Sequence, residues 1–180
     1  MSARPAVAVF GSARLEPGDP EYLEARELGR LLAMAGADVL TGGYDGAMAA
    51  VSAGAHEAGG HVVGVTMAGW SHRRGPNRWV VEERPADRLT ERIELLMAAD
   101  AWVAVAGGIG TLSEVAVAWS TLQTAGARWR PLLLMGPRWA NLTAQIGATL
   151  VVDERDLALA ELAPDPAAVM ERLADLFVGG

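Results

Sequence analysis

Short, almost wholly apolar runs alternate along the chain with longer stretches in which apolar residues recur every three or four positions. The short runs are AVAVF (6–10), ADVLT (37–41), HVVGVT (61–66), WVVEE (79–83), AWVAVA (101–106), PLLLMG (131–136) and ATLVV (148–152). Their length and β-branched content predict seven strands. Between the first two, EYLEARELGRLLAMAG (21–36) sets Leu28, Leu31, Leu32 and Ala35 on one face at the spacing of an amphipathic helix, and Gly36 stops it. Comparable patterns predict helices over 46–58, 86–98, 111–126, 138–146 and 165–178. Strands that are apolar on both sides belong in a parallel sheet covered by helices on both faces. The expected fold is therefore α/β, a doubly wound, Rossmann-like parallel sheet of about seven strands. No internal repeat, low-complexity tract or linker divides the 180 residues, so one domain over 1–180 is expected.

In such sheets ligands bind at the carboxyl ends of the strands, where helix N-termini direct free N–H groups into a crevice. Three turns fall there: FGSA (10–13), TGGYDG (41–46) and AGGIGT (106–111). Glycine admits close approach of the backbone to a ligand and lets successive N–H groups converge on one anion. The phosphate-binding candidates are Gly11 and Ser12, then Gly42, Gly43 and Gly46, then Gly107, Gly108, Gly110 and Thr111. Asp45 either accepts hydrogen bonds from a ligand hydroxyl or caps the helix that follows. A dinucleotide fits poorly, because GSAR after the first strand is not GxGxxG and the second strand does not end in a ribose-binding acid. A mononucleotide or sugar phosphate fits better.

Composition removes several chemistries. All 15 basic residues are arginine, so neither the internal Schiff base of a pyridoxal phosphate enzyme nor the lysine of a Walker A loop can be built. With no cysteine and no HExxH spacing around His56 and His61, neither a metal nor another cofactor is expected. A formal net charge of −7 disfavours a nucleic acid polymer. The one basic cluster, His72, Arg73, Arg74 and Arg78 in SHRRGPNRW, is either a solvated loop or an anion-gripping lid. No apolar run has the ~20 residues of a membrane-spanning helix, and residues 1–10 lack a signal peptide's longer apolar core, so a cytoplasmic protein without a membrane partner is expected.

The pair TGGYDG and AGGIGTLSE, in this order and on these elements, resembles the LOG family, formerly called lysine decarboxylase-like, whose signature is PGGxGTxxE. The resemblance covers residues 6 to 150. It implies a Rossmann-like fold, a homodimer, and a site that cleaves a nucleoside 5′-monophosphate into free base and ribose 5-phosphate. Gly107, Gly108, Gly110, Thr111 and Glu114 match the signature, with Ala106 in place of its proline. The family also has an Arg-Lys pair on the helix before the fifth strand. Arg92 matches the arginine, Ile93 replaces the lysine, and the interval to Asp100 is one residue short, which leaves Arg88 as the alternative arginine. The resemblance thus gives Glu114 and Arg92 as catalytic candidates, the carboxylate supporting positive charge at the ribose and the arginine assisting the base or gripping phosphate.

Each has a structural alternative. Arg92 is equally suited to an ion pair with Glu91 or Glu94, and Thr111 with Glu114 has the spacing of a helix capping box. The resemblance implies that Trp119 and the apolar positions around it on helix 111–126 meet a second subunit; the tryptophans are read as core and interface residues, with Trp70 and Trp79, which bracket the basic cluster, the alternative contacts for a base. The same fold is also used by molybdenum-cofactor carriers, which makes a binding protein without turnover the competing expectation.

Overall fold

A computed structural model describes residues 4–70, 75–124 and 130–178. Its centre is a sheet of seven parallel strands in the order β4-β3-β2-β1-β5-β6-β7: β1 (Ala6–Phe10), β2 (Asp38–Thr41), β3 (Val62–Met67), β4 (Glu82–Ala86), β5 (Ala101–Ala104), β6 (Leu132–Met135) and β7 (Glu161–Ala163). The fold is the doubly wound α/β arrangement expected from the alternating pattern. Strand side chains alternate between the two faces. Val7 and Val9 of β1 enter a core closed by α1 (Pro20–Met34), α2 (Ala47–Glu57) and α7 (Pro166–Arg172), whereas Ala8 and Phe10 enter a second core under α3 (Leu89–Met97), α4 (Ile109–Thr124) and α5 (Pro137–Thr149).

Local sequence accounts for these elements. Pro20 opens α1 at a position where its missing N–H is no loss, and Gly36 beyond its end takes φ 88°. Between them Ala25, Leu28 and Leu32 are buried, whereas Leu31 of the expected face is half-buried and Ala35, at the C-cap, is exposed. Helices α1 and α2 pack closely because Gly29 faces the backbone of Val51 and Gly54 faces the backbone of Arg26. Trp102 fills the second core and donates its indole N–H to the carbonyl of Leu96. Among the described residues no helix is long and apolar enough to cross a membrane.

Three expectations about elements need correction. The run WVVEE does not begin a strand at 79: the N–H groups of Trp79 and Val80 turn back to the side chain and carbonyl of Asn77, and pairing begins when Val81 N–H donates to the carbonyl of Val62. The edge strand β4 then continues through Pro85, a residue an edge tolerates. ATLVV is not a strand. Helix α5 runs on to Thr149, Val151 is fully exposed, and Asp153 with Asp156 forms a capping box that starts the short helix α6 (Glu154–Leu157). The last strand is instead Glu161–Ala163, paired with β6, too short to carry a periodic signal. Finally, the helix over 165–178 is broken at Leu173 into α7 and α8 (Ala174–Val178).

Candidate active site at the switch point of the sheet

Strands β2, β3 and β4 follow β1 to one side, and the chain then crosses to place β5 on the other. The crevice of a doubly wound sheet opens at this reversal, beyond the carboxyl ends of β1 and β5. Both FGSA and AGGIGT lie there, stitched together where Ser12 N–H donates to the carbonyl of Ala106 at 3.0 Å. TGGYDG lies beside them at the end of β2.

The three turns are built differently. In TGGYDG, Gly43 (φ 77°) and Gly46 (φ 66°) hold left-handed backbone that favours glycine, and the Gly43 N–H is already donated to Oγ1 of Thr41. Gly46, not Asp45, occupies the N-cap of α2, and Asp45 is exposed. The Ala47 N–H donates to the carbonyl of Ser12 at 2.8 Å, so the loop after β1 stoppers the start of α2. Asn77 ties the incoming strap to the same turn: its N–H donates to the carbonyl of Gly43 and its amide to the carbonyl of Tyr44 and to Oγ of Ser52. The Tyr44 hydroxyl accepts from Met67 N–H.

AGGIGT is open. Helix α4 begins at Ile109, two residues earlier than expected, and its first internal bond runs from Leu112 N–H to the carbonyl of Gly108. The N–H groups of Ile109, Gly110 and Thr111 therefore have no partner within the helix and carry its positive dipole end. A β-carbon added at Gly108 or Gly110 would meet nothing within 4 Å, whereas one at Gly107 would run into Thr111, whose Oγ1 would stand 2.6 Å away. Gly107 makes room for Thr111, and Gly108 and Gly110 face open space.

Glu114 and Arg92 come together one turn further in. Nη1 of Arg92 donates to Oε1 of Glu114 at 2.9 Å, and Nε of Arg92 donates to the carbonyl of Val65 at 2.8 Å. The two side chains are 11% and 9% exposed. Burial pushes the Glu114 carboxyl above the ordinary glutamate value of 4.5, and the charge and hydrogen bond of Arg92 pull against it. With α4 starting at Ile109, Thr111 is inside the helix rather than its cap, so the capping-box alternative for Glu114 does not describe this helix. The surface ion pair between Arg92 and Glu91 or Glu94 is likewise replaced by a buried one. Arg88 is exposed at the N-cap of α3, where its carbonyl accepts from Arg92 N–H. Asp100 is used structurally, its Oδ2 accepting from Ala6 N–H.

Other candidates lie elsewhere. His61 stands between Asp38 and Glu82 at the amino ends of the strands, 3.5 and 3.4 Å from their carboxylates, and His56 is exposed in the last turn of α2. Among the described residues no three His, Cys, Asp or Glu side chains are grouped to hold a metal ion. Trp119 is half-buried, packing on the second core with its indole N–H donated to the carbonyl of Asp156. Trp79 is half-buried under the guanidinium of Arg78, while His72, Arg73, Arg74 and the Trp70 side chain lie outside the described residues. Asn77, Met48 and Val65 were not singled out from sequence. The SHRRGPNRW stretch contains Asn77 but carries no sign of the turn that it would pin.

Residues 4–127 match the family described as SLOG cluster4. The chain belongs to this family. It is 37% identical over 102 residues to the cytokinin riboside 5′-monophosphate phosphoribohydrolase LOG of Oryza sativa subsp. japonica, a match covering 54% of this chain and 42% of the rice protein. It is 34% identical over 117 residues to the cytokinin riboside 5′-monophosphate phosphoribohydrolase of Mycobacterium tuberculosis, covering 63% of this chain and 62% of that one. The matches thus span less than two thirds of these relatives. Among solved structures, the molybdenum cofactor binding protein of Rippkaea orientalis superposes over 99% of this chain and 100% of its own with a TM-score of 0.79 at 22% identity. The molybdenum cofactor carrier protein of Chlamydomonas reinhardtii gives a TM-score of 0.74 at 25% identity, covering 97% and 98% of the two chains.

Proposed function

We propose that this protein hydrolyses the N-glycosidic bond of a nucleoside 5′-monophosphate, releasing free base and ribose 5-phosphate. The observation that carries the reading is a buried carboxylate, Glu114, held by Arg92 on the helix whose open N-terminus offers backbone donors to an anion. Five residues of helix separate Ile109 from Glu114, roughly 8 Å at 1.5 Å per residue, so phosphate and reacting sugar carbon have separate places on one rigid element. The phosphate binds at Gly108, Gly110 and Thr111, with Gly11 and Ser12 closing the crevice from β1.

As the bond from C1′ to the base nitrogen breaks, positive charge develops on the sugar, and the Glu114 carboxylate stabilises it and orients the attacking water. Water oxygen bonds to C1′, the carboxylate takes one of the water's protons and afterwards releases it to solvent, and the bonding electrons depart with the base, which takes a proton from solvent as it leaves. Arg92 supplies charge to the carboxylate rather than to phosphate, because its Nε and Nη1 are both engaged by the protein.

A second reading, a carrier without turnover, has its own support: the molybdenum-cofactor proteins superpose over nearly the whole chain, and Ile93 stands where the LOG pattern has a lysine. One experiment separates the two. The protein is incubated with purine and pyrimidine nucleoside monophosphates, and free base and ribose 5-phosphate are measured by chromatography. Equimolar release of both supports the hydrolase. Nucleotide binding without release of either supports the carrier.

A further inference from the structure

We infer that Gly42 is a positioning residue for the Arg92–Glu114 pair: the space that a side chain would occupy at this position is the seat of the Arg92 guanidinium. Gly42 is buried directly after β2, and its backbone is not in the left-handed region, so its φ does not demand glycine. Nor does an empty hollow face it. A β-carbon built there would overlap Nη2 of Arg92 and stand 2.5 Å from Sδ of Met48. Val65 receives Nε, Glu114 receives Nη1, and the face of Gly42 receives Nη2. Three sides of one planar group are thereby set by β3, α4 and the turn after β2.

Its neighbours in the turn have other tasks. Gly43 and Gly46 adopt backbone that other residues resist, and a β-carbon on Gly46 would strike the backbone of Ser12 and Ala13. At Gly42 both obstructing atoms belong to flexible side chains rather than to backbone. Gly42→Ala therefore folds, and the guanidinium and the thioether move instead. Displaced from its seat, Arg92 withdraws from a carboxylate that burial already drives toward protonation. The consequence for turnover rests on the hydrolase reading above; the placement of Arg92 does not.

The test uses a carbon-13 titration of the Glu114 carboxyl, its resonance assigned by its loss in Glu114→Gln. In Gly42→Ala the midpoint rises by about 1 pH unit or more, the effect of withdrawing a neighbouring opposite charge. In an Arg92→Met background, with no guanidinium to displace, adding Gly42→Ala leaves the midpoint where it was. Gly42→Ala combined with Met48→Ala frees the thioether's space, keeps the shift, and serves if the single variant folds poorly. If the protein turns over, kcat falls by up to ~100-fold, the penalty of a misplaced catalytic group, while KM stays within about 2-fold. An unmoved midpoint in Gly42→Ala, or an equal shift in both backgrounds, overturns the assignment, as does a rise in KM alone, which marks an anion-cradling role. Absence of turnover in the unaltered protein defeats the hydrolase reading but leaves the titration result standing.

Discussion

Arg92 and Glu114 meet at 2.9 Å across the gap between α3 and α4, the arginine anchored behind to the carbonyl of Val65. Neither partner has much water to fall back on. A buried pair of this kind contributes little net stability over an apolar replacement of both partners, yet replacing one partner alone by an apolar side chain is costly, because the other is left charged and without its hydrogen bond in low dielectric. On the hydrolase reading proposed above, the burial of this pair serves the chemistry rather than the stability of the fold.

Glu114→Gln keeps a hydrogen-bond acceptor for Arg92 and removes only the charge. The variant is expected to melt within a few degrees of the unaltered protein and to release base at least ~100-fold more slowly, the low end for loss of a general acid or base. Thermal unfolding and chromatographic assay decide it. Full turnover with glutamine at 114 returns this side chain to a packing role.

The same variant exposes the linkage between protonation and stability. Because the folded-state value of Glu114 is raised above 4.5, the folded protein holds this proton more tightly than the unfolded chain does. That contribution is fully present below 4.5 and is lost as pH rises through the raised value. The melting temperature of the unaltered protein minus that of Glu114→Gln should therefore fall with increasing pH across this interval and then level off. A difference that is flat or that climbs with pH contradicts the burial-driven shift.

Arg92→Met retains bulk and removes the cation. Glu114 then becomes protonated to a higher pH, since an isolated buried carboxylate neutralises rather than remain charged. The variant is expected to be destabilised most in alkaline buffer, by up to about 3–5 kcal/mol where the carboxylate is forced to ionise alone. On acidification the deficit narrows. Denaturant unfolding at two pH values measures it, and a pH-independent deficit would mean that the lost bond to Val65, not the lost charge, dominates.

How much of this was legible in the sequence differs by element. Buried parallel strands such as AVAVF and PLLLMG declare themselves because both faces are covered and every position is apolar. The edges do not: β4 reads EERPA and β7 reads ELA, each with one side in solvent, while the conspicuous β-branched run at 148–152 is a helix exit. Glu114 and Arg92 stood out by their spacing to a known motif, but their contact spans 22 residues and depends on the packing of α3 on α4, which no local pattern encodes. Gly42 was visible as a glycine, but a sequence does not say whether the space beside a glycine is left for a ligand or for another side chain, here the guanidinium of Arg92.

Gly108 and Gly107 offer the sharpest contrast for the proposed anion site. Gly108 occupies the N-cap position of α4, is exposed, has no left-handed φ, and a β-carbon on it would enter open space. Valine is a poor N-cap, so Gly108→Val costs on the order of 1 kcal/mol, but nothing in the fold obstructs it. Its methyl groups would stand over the N–H groups of the first helical turn, where the phosphate is proposed to bind. Gly107→Val is the opposite case: its side chain collides with the buried Thr111 and pries the turn from the helix, an overpacking cost of about 1–3 kcal/mol. The expected outcome is that Gly108→Val melts near the unaltered protein yet binds nucleoside monophosphate at least ~10-fold more weakly, the loss of one charge-assisted hydrogen bond, whereas Gly107→Val loses stability first. Calorimetric titration beside thermal unfolding separates the two effects. Unimpaired binding by folded Gly108→Val would remove the α4 N-terminus from the phosphate site and shift attention to the loop after β1.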